Sequence, residues 1–137
     1  MLGELIFESK GKITGQRVLS VYYGIPKLEI SISGTGTFMG NVEVTENWTY
    51  RAVQRPDGTS YGQGKGVIMT KDGSEVATAV GRGEGKRAES GKMRYKSAIF
   101  YESNSKNKLA PLNHLLGISE YEVDALGNYE HKLWEWK

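Results

Sequence analysis

Glu46 is the residue of this chain whose position most clearly suggests chemistry. It falls in phase with Val44 and Trp48 in the run 42–52, where apolar residues occupy every second position. Because alternate residues of a strand point to the same face, this pattern predicts that Glu46 faces the interior. Burial disfavours an ionised carboxylate and would raise its pKa, so we expect a general acid or base here. The alternative is a structural carboxylate, placed near a strand end or paired with an inward-facing Arg82.

His131 is the second candidate catalytic residue. It shares one strand face with Glu135, which lies roughly 13 Å along the strand and is therefore too distant for a direct hydrogen bond. If this face points inward, His131 orients a ligand that Glu46 polarises or deprotonates. The alternative is a histidine whose hydrogen bonds serve the structure only. Trp134 and Trp136 occupy the opposite face, so only one of the two sets can face the interior.

Tyrosine and tryptophan are the residues most suited to binding a small molecule. Buried tyrosines combine a large apolar ring with a hydroxyl that needs a partner, and a pocket built from them suits a flat or hydrophobic ligand. The alternative is that the rings simply fill the interior, as they do in small barrels. The predicted ligand-binding residues are Trp48, Tyr50, Tyr95, Tyr101 and Tyr121, with Arg82 as a polar anchor.

Strand-like alternation in most of the chain indicates the elements that must position these residues. Leu28, Ile30 and Ile32 alternate with polar residues, and the run 93–99 does the same. Turn signals such as Pro-Asp-Gly58 separate the runs at hairpin spacing. The sequence therefore predicts one all-β domain over residues 1–137, a closed antiparallel barrel of about eight strands.

Two runs of alternating glycine support closure of the sheet. They are Gly62-Gln-Gly64-Lys-Gly66 and Gly81-Arg-Gly83-Glu-Gly85. Glycine inside a strand marks tight coiling or the close approach of another group, and such positions allow a sheet to curve shut. Neither run has the strand–loop–helix context of a phosphate-binding loop, so no nucleotide site is predicted.

The segment near residues 109–116 breaks the alternation. Leu112, Leu115 and Leu116 lie at helical spacing, Pro111 suits a first helical turn, and Gly117 suits a helix end. This pattern predicts one short helix or a loop docked against one end of the barrel.

Composition excludes several classes of function. The 137 residues carry a net charge of only +2 and no cysteine, which excludes disulfides and thiol catalysis. The two histidines do not lie at metal-ligand spacing, so neither a metal nor another cofactor is predicted. No apolar run approaches the ~20 residues of a membrane helix and the N-terminus lacks a signal-like run, so we expect a cytoplasmic protein.

A basic strand face offers an alternative of a different class. Lys92, Arg94 and Lys96 line one face, and with nearby aromatic residues they could bind single-stranded nucleic acid. Glu84, Glu89 and other acidic residues interleave with them, which favours an ordinary solvated face and makes nucleic-acid binding the weaker expectation.

Two stretches of the sequence resemble the allene oxide cyclase-like barrels, a superfamily that includes plant cyclases, dirigent proteins and uncharacterised microbial families. They are Gly34-Thr-Gly-Thr-Phe-Met-Gly40 leading into Val42, and Arg55-Pro-Asp-Gly58 before a glycine-rich strand. The resemblance implies an eight-stranded barrel with a central, largely apolar cavity, often in a homo-oligomer. It also implies the steering of cyclisation or coupling of reactive small molecules. No catalytic position of that superfamily maps onto this sequence.

These observations together favour a barrel that binds a small hydrophobic or aromatic molecule. If the protein is an enzyme, we expect an isomerase or cyclase that uses Glu46 and His131. The alternative is a non-catalytic binding or assembly module. The amino-acid sequence does not determine the identity of the ligand or the orientation of the glycine-rich and C-terminal strands.

Overall fold

Residues 1–137, described here from a computed structural model, form one closed barrel of eight antiparallel strands in which each strand pairs with the next. The barrel closes where β1 pairs with β8, so that Ser9 lies opposite His131. The predicted fold class is thereby confirmed. The strands are β1 (Leu2–Tyr22), β2 (Ile25–Phe38), β3 (Val42–Gln54), β4 (Thr59–Thr70), β5 (Val76–Arg87), β6 (Met93–Ser103), β7 (Leu115–Val123) and β8 (Asn128–Trp136).

Tight turns with a left-handed glycine join most of the strands. Gly58, Gly73 and Gly127 have φ angles of +86°, +77° and +84°. Glycine adopts this region without the Cβ penalty that other residues incur. The Asp57 carboxylate accepts hydrogen bonds from both the backbone N–H and the hydroxyl of Thr59, which stabilises the β3–β4 turn. The turn signals read from the sequence thus correspond to real hairpins.

The segment before β7 is a loop that plugs one end of the barrel, with a single 3-10 turn at Ala110–Leu112. Leu109 and Leu112 are completely buried and pack with Phe7 and Tyr101 in an apolar cluster. No longer helix forms, because β7 already begins at Leu115 and leaves room for one turn only. The prediction of a loop docked against one end of the barrel is confirmed. In place of the alternative, a short helix, the structure has only this single turn.

The interior consists of layers of side chains. The plug-end cluster fills one end, and a second cluster rich in tyrosine fills the other. Trp48 packs against both clusters. Between them lie the buried polar residues Ser9, Glu46, Ser119 and His131. The barrel therefore places a polar layer between two apolar ends.

The alternating glycines of β4 and β5 face the interior. Their strand neighbours Gln63, Lys65, Arg82 and Glu84 are all exposed, and successive residues of a strand point to opposite faces. Gly62 pairs with Gly83, and Gly64 pairs with Gly81. One part of the inner wall therefore consists of backbone without side chains.

Candidate functional site

The carboxylate of Glu46 lies at the centre of the polar layer, with only 1 % of the residue exposed. Three groups donate hydrogen bonds to it. The Tyr129 hydroxyl donates to Oε2 at 2.9 Å, the Trp48 indole N–H donates to Oε1 at 3.0 Å, and the Ser9 hydroxyl donates to Oε2. These donors come from β1, β3 and β8, so only the closed barrel brings them together.

Two inward-facing glycines of β2 make this convergence possible. Gly34 pairs with Glu46 on β3, and Gly36 pairs with Ser9 on β1. A Cβ atom at Gly34 would fall well inside van der Waals contact with the Tyr129 hydroxyl, and one at Gly36 would overlap Ser9. The Gly-x-Gly pair of β2 therefore leaves room for side chains of β1 and β8 to reach across to Glu46.

Hydrogen bonding decides the ionisation state of Glu46. Burial raises the pKa of this carboxyl and is the largest single influence on it. The adjacent His131 imidazole, together with the Ser9 and Tyr129 hydroxyls, outweighs burial and holds the pKa below its ordinary value. The Glu46 carboxylate is therefore ionised at pH 7. The sequence-based expectation of a raised pKa at Glu46 was wrong, because it considered burial and could not include donors from other strands.

His131 lies beside this anion and is 5 % exposed. Its Nδ1 atom is 3.6 Å from Glu46 Oε1 and 3.5 Å from Ser9 Oγ, and its ring packs against Phe7 at 5.7 Å between centroids. The distance to Oε1 is that of a charge contact rather than a full hydrogen bond. A carboxylate at Nδ1 favours a proton on that nitrogen and leaves Nε2 as the other functional atom of the ring. The inward face of β8 is thus the one that carries His131, and Trp134 lies on the outer side.

A cavity of about 80 Å³ lies next to the carboxylate. Glu46 and His131 contribute to its lining, as do the inward glycines of β4 and β5. Its other side-chain walls come from Ile32, Trp48, Tyr50, Tyr95, Ser97, Ile99, Ser119 and Tyr121. The glycines provide this space, since they add no side chain to their part of the wall.

Four tyrosines from β3, β6, β7 and β8 form a cluster at the end of the cavity opposite the plug. The hydroxyls of Tyr50 and Tyr121 lie 3.2 Å apart, and the Tyr95 hydroxyl is 2.8 Å from Ser60 Oγ. Burial raises the pKa of Tyr50, Tyr95, Tyr121 and Tyr129 above the ordinary value for tyrosine. The four hydroxyls therefore stay neutral.

The structure brings together most of the predicted site residues but not all. Glu46, Trp48, Tyr50, Tyr95, Tyr121 and His131 all line the cavity. Tyr101 does not, because its ring is buried in the plug-end cluster. Arg82 borders the cavity, but it alternates with inward-facing glycines on β5, so its exposed side chain points to the outer face. The proposed pairing of Arg82 with Glu46 is therefore wrong.

Sequence reasoning missed several polar residues of the site. Ser9 and Tyr129 bind Glu46, and Ser97 and Ser119 line the cavity. Their inward positions could have been read from the alternation of their own strands. Their meeting with Glu46 could not, since it depends on the register between strands that are distant in sequence.

The basic face of β6 is balanced by acidic partners. Arg94 forms an ion pair with Glu122 on β7, with its Nε donating to Oε1 at 2.7 Å. Lys96 lies between Glu84 and Glu120 in the strand register. Opposite charges that face each other across strands attract locally and cancel at a distance.

No group of three or more His, Asp or Glu side chains lies close enough together to hold a metal ion. The chain also contains no helix with the length and apolar character needed to cross a membrane.

Comparisons with known proteins show the fold of this chain. No protein-family model matches the sequence, and no curated protein matches it either. Solved structures do match over nearly the whole chain. A protein of unknown function from Clostridium acetobutylicum has a TM-score of 0.80 at 14 % identity, with 98 % of each chain covered. A β-barrel-like protein from Acinetobacter baumannii has a TM-score of 0.79 at 13 % identity, covering 100 % of this chain and 96 % of that one.

An enzyme from Penicillium herquei is a more distant match. Its TM-score is 0.65 at 16 % identity, covering 96 % of this chain and 92 % of that one. At these identities the comparisons establish the class of protein, an eight-stranded β-barrel, and nothing finer.

Proposed function

We propose that this barrel binds a small molecule in the cavity beside Glu46 and isomerises it by proton transfer. The observation that carries the proposal is the buried Glu46 carboxylate, which is held by three donors and contacts His131 at the cavity wall. A buried carboxylate is a costly way to stabilise a protein, because its loss of hydration offsets the hydrogen bonds that it accepts. Its position in a cavity therefore favours a chemical role.

Each residue has a definite role in this reaction. Glu46 is a positioning residue, since its oxygens are engaged by Ser9, Trp48 and Tyr129 and its negative charge stabilises a protonated His131. His131 Nε2 takes a proton from one atom of the ligand and returns it to another. Every atom is conserved between substrate and product, and no electron is gained or lost. The reaction is a rearrangement of the ligand, and ring closure is one form of it.

The surroundings of His131 suit such a step. The Ser119 hydroxyl lines the same cavity and can donate to an oxygen on which negative charge develops. The resemblance to cyclase barrels supports the same reaction class. Nucleic-acid binding by Lys92, Arg94 and Lys96 receives less support, because acidic neighbours face Arg94 and Lys96 across the strands.

Proton transfer can be tested before the natural substrate is identified. We would incubate the protein in D2O with cyclohexanone and with cyclohex-2-enone, and follow loss of the α C–H signals by 1H NMR. We expect the wild type to accelerate exchange over buffer, and His131→Asn to remove at least about 99 % of that acceleration. Glu46→Gln should lower it as well, because the neutral amide no longer stabilises the imidazolium.

His114 provides the matched control for His131. It is the only other histidine, it is exposed, and its φ of +59° is one that asparagine tolerates. His114→Asn should leave exchange unchanged, and thermal unfolding would confirm that each variant is folded. Equal exchange by the wild type and His131→Asn would contradict the proposed reaction. Binding of a ligand with no exchange would instead indicate the non-catalytic binding module.

A further inference from the structure

Resting on this proposed function, we infer that the ligand is an uncharged molecule with about one ring and a hydroxyl or carbonyl oxygen. The inference depends on three properties of the cavity: its size, the absence of a free charge on its wall, and the two serine hydroxyls that line it.

Size sets the first limit. The space open to the centres of water molecules is about 80 Å³, and one water needs at least roughly 10–15 Å³ of it. The cavity therefore holds on the order of six water-sized positions, which corresponds to about six to ten non-hydrogen atoms. Pockets for drug-sized ligands are larger, at roughly 300–1,000 Å³. A single ring with one substituent suits this volume better than a fused two-ring system.

Charge sets the second limit. Glu46 is the only carboxylate that lines the cavity, and its oxygens are already engaged by Ser9, Trp48 and Tyr129. The Arg82 side chain lies outside, so His131 is the only group on the wall that can carry a positive charge, and Glu46 already balances it. An anionic or cationic ligand would therefore be buried without an ionic partner, which is costly.

Hydrogen bonding sets the third property. The cavity walls are mostly aromatic, aliphatic or glycine, but Ser97 and Ser119 also line them. Ser119 is only 1 % exposed and Ser97 is half-buried, and each hydroxyl can both donate and accept a hydrogen bond. A ligand oxygen beside them could exchange hydrogen bonds with these hydroxyls, which favours a ligand that carries a hydroxyl or carbonyl group.

A set of similar ligands tests all three properties by isothermal titration calorimetry. Benzyl alcohol is the neutral one-ring probe, benzoate and benzylammonium are its charged counterparts, and 1-naphthalenemethanol adds a second ring. We expect benzyl alcohol to bind at least about 10-fold more tightly than either charged probe, because those lack an ionic partner. 1-Naphthalenemethanol should bind at least about 10-fold more weakly than benzyl alcohol.

Two variants locate the binding within the cavity. Ser119→Ala should weaken benzyl alcohol binding about 3- to 10-fold through the lost hydrogen bond, whereas Ser20→Ala on the exposed part of β1 should have no effect. Gly62→Ala should weaken it as well. The added Cβ would only just contact Tyr95, at 3.4 Å, so the fold is kept while the cavity narrows.

The outcomes separate the ligand class from the reaction. Equal binding of the neutral and charged probes, or tighter binding of the two-ring probe, would overturn the ligand class. So would binding that Ser119→Ala and Gly62→Ala leave unchanged, or no binding of any probe. Failure of the reaction would instead appear in the exchange assay, as selective binding of benzyl alcohol without proton exchange of the ring ketones.

Discussion

Removal of the Tyr129 hydroxyl tests whether Glu46 is ionised inside the barrel. In Tyr129→Phe the carboxylate loses a donor at 2.9 Å and keeps those from Ser9 and Trp48. Tyr95→Phe is the matched control, since Tyr95 is similarly buried but its hydroxyl contacts the neutral Ser60 at 2.8 Å. The two substitutions remove the same atom and differ in the charge of the partner.

The charge of the partner sets the expected difference. A hydrogen bond to a charged group contributes about 1.5–3 kcal/mol, and one between neutral groups contributes about 0.5–1.5 kcal/mol. We therefore expect Tyr129→Phe to lower the free energy of unfolding by about twice as much as Tyr95→Phe at pH 7. For a chain of this length each kcal/mol lowers the melting temperature by roughly 3–5 °C.

The pH dependence gives a sharper test. The pKa of Glu46 is lower in the folded protein than its reference value of 4.5, so its stabilising contribution is present above that value and disappears as the pH falls through the folded pKa. Tyr129→Phe removes one cause of the lowering. Its cost should therefore be large at pH 7 and shrink as the pH falls through the folded pKa of Glu46, because a protonated Glu46 is a neutral partner. The cost of Tyr95→Phe should stay constant over this range.

Urea unfolding of both variants at pH 7 and pH 3 measures these free energies. In a Glu46→Gln background, Tyr129→Phe should cost no more than Tyr95→Phe, because the partner is then neutral. If Tyr129→Phe and Tyr95→Phe cost the same at both pH values, Glu46 is not an anion in the folded protein. The roles assigned to Glu46 and His131 would then be wrong.

Two other predictions concern the elements around the site. Gly34→Ala should cost about 1–3 kcal/mol of unfolding free energy by overpacking, and should separate Tyr129 from Glu46, whereas Gly15→Ala, with no atom within 4 Å of the added Cβ, should change stability by less than about 1 kcal/mol. Urea unfolding would measure the loss of stability, and tyrosine fluorescence would detect the separation of Tyr129 from Glu46. A Gly34→Ala variant with unchanged stability would contradict the prediction. Leu112→Ala in the plug should lower the free energy of unfolding by about 2–5 kcal/mol, because Leu112 is fully buried. Leu126 is 87 % exposed and should tolerate alanine. Equal losses of stability in thermal unfolding would refute the packing role of the plug.

The fold was predictable because its signals are local. Alternation of apolar and polar residues shows which side chains share a face, and turns such as Pro-Asp-Gly58 limit the length of each strand. Chain length and the alternating glycines of β4 and β5 then favour closure. The same alternation placed Glu46 inside the barrel, where the structure has it. Each of these inferences needs only neighbours within about ten residues.

The site was less predictable because its interactions are long-range. Glu46 meets Ser9 from 37 residues away and Tyr129 from 83 residues away, and the contact with His131, together with these two, reverses the direction expected for its pKa. Arg82 and Tyr101 were misplaced for a related reason. A pattern of period two shows which residues share a face, but it does not show which face is inward on a glycine-rich strand or which layer of the barrel a residue joins.

The amino-acid sequence thus determines that the sheet curves, where its strands turn, and that one carboxylate is buried. Only the closed barrel decides what surrounds that carboxylate, because β1 and β8, at opposite ends of the chain, become neighbours when the sheet closes. Closure of the barrel brings the Ser9 and Tyr129 hydroxyls to the buried Glu46 carboxylate and places His131 beside it. It also places the bare backbone of Gly62, Gly64, Gly81 and Gly83 along the cavity, where the missing side chains become space for a ligand.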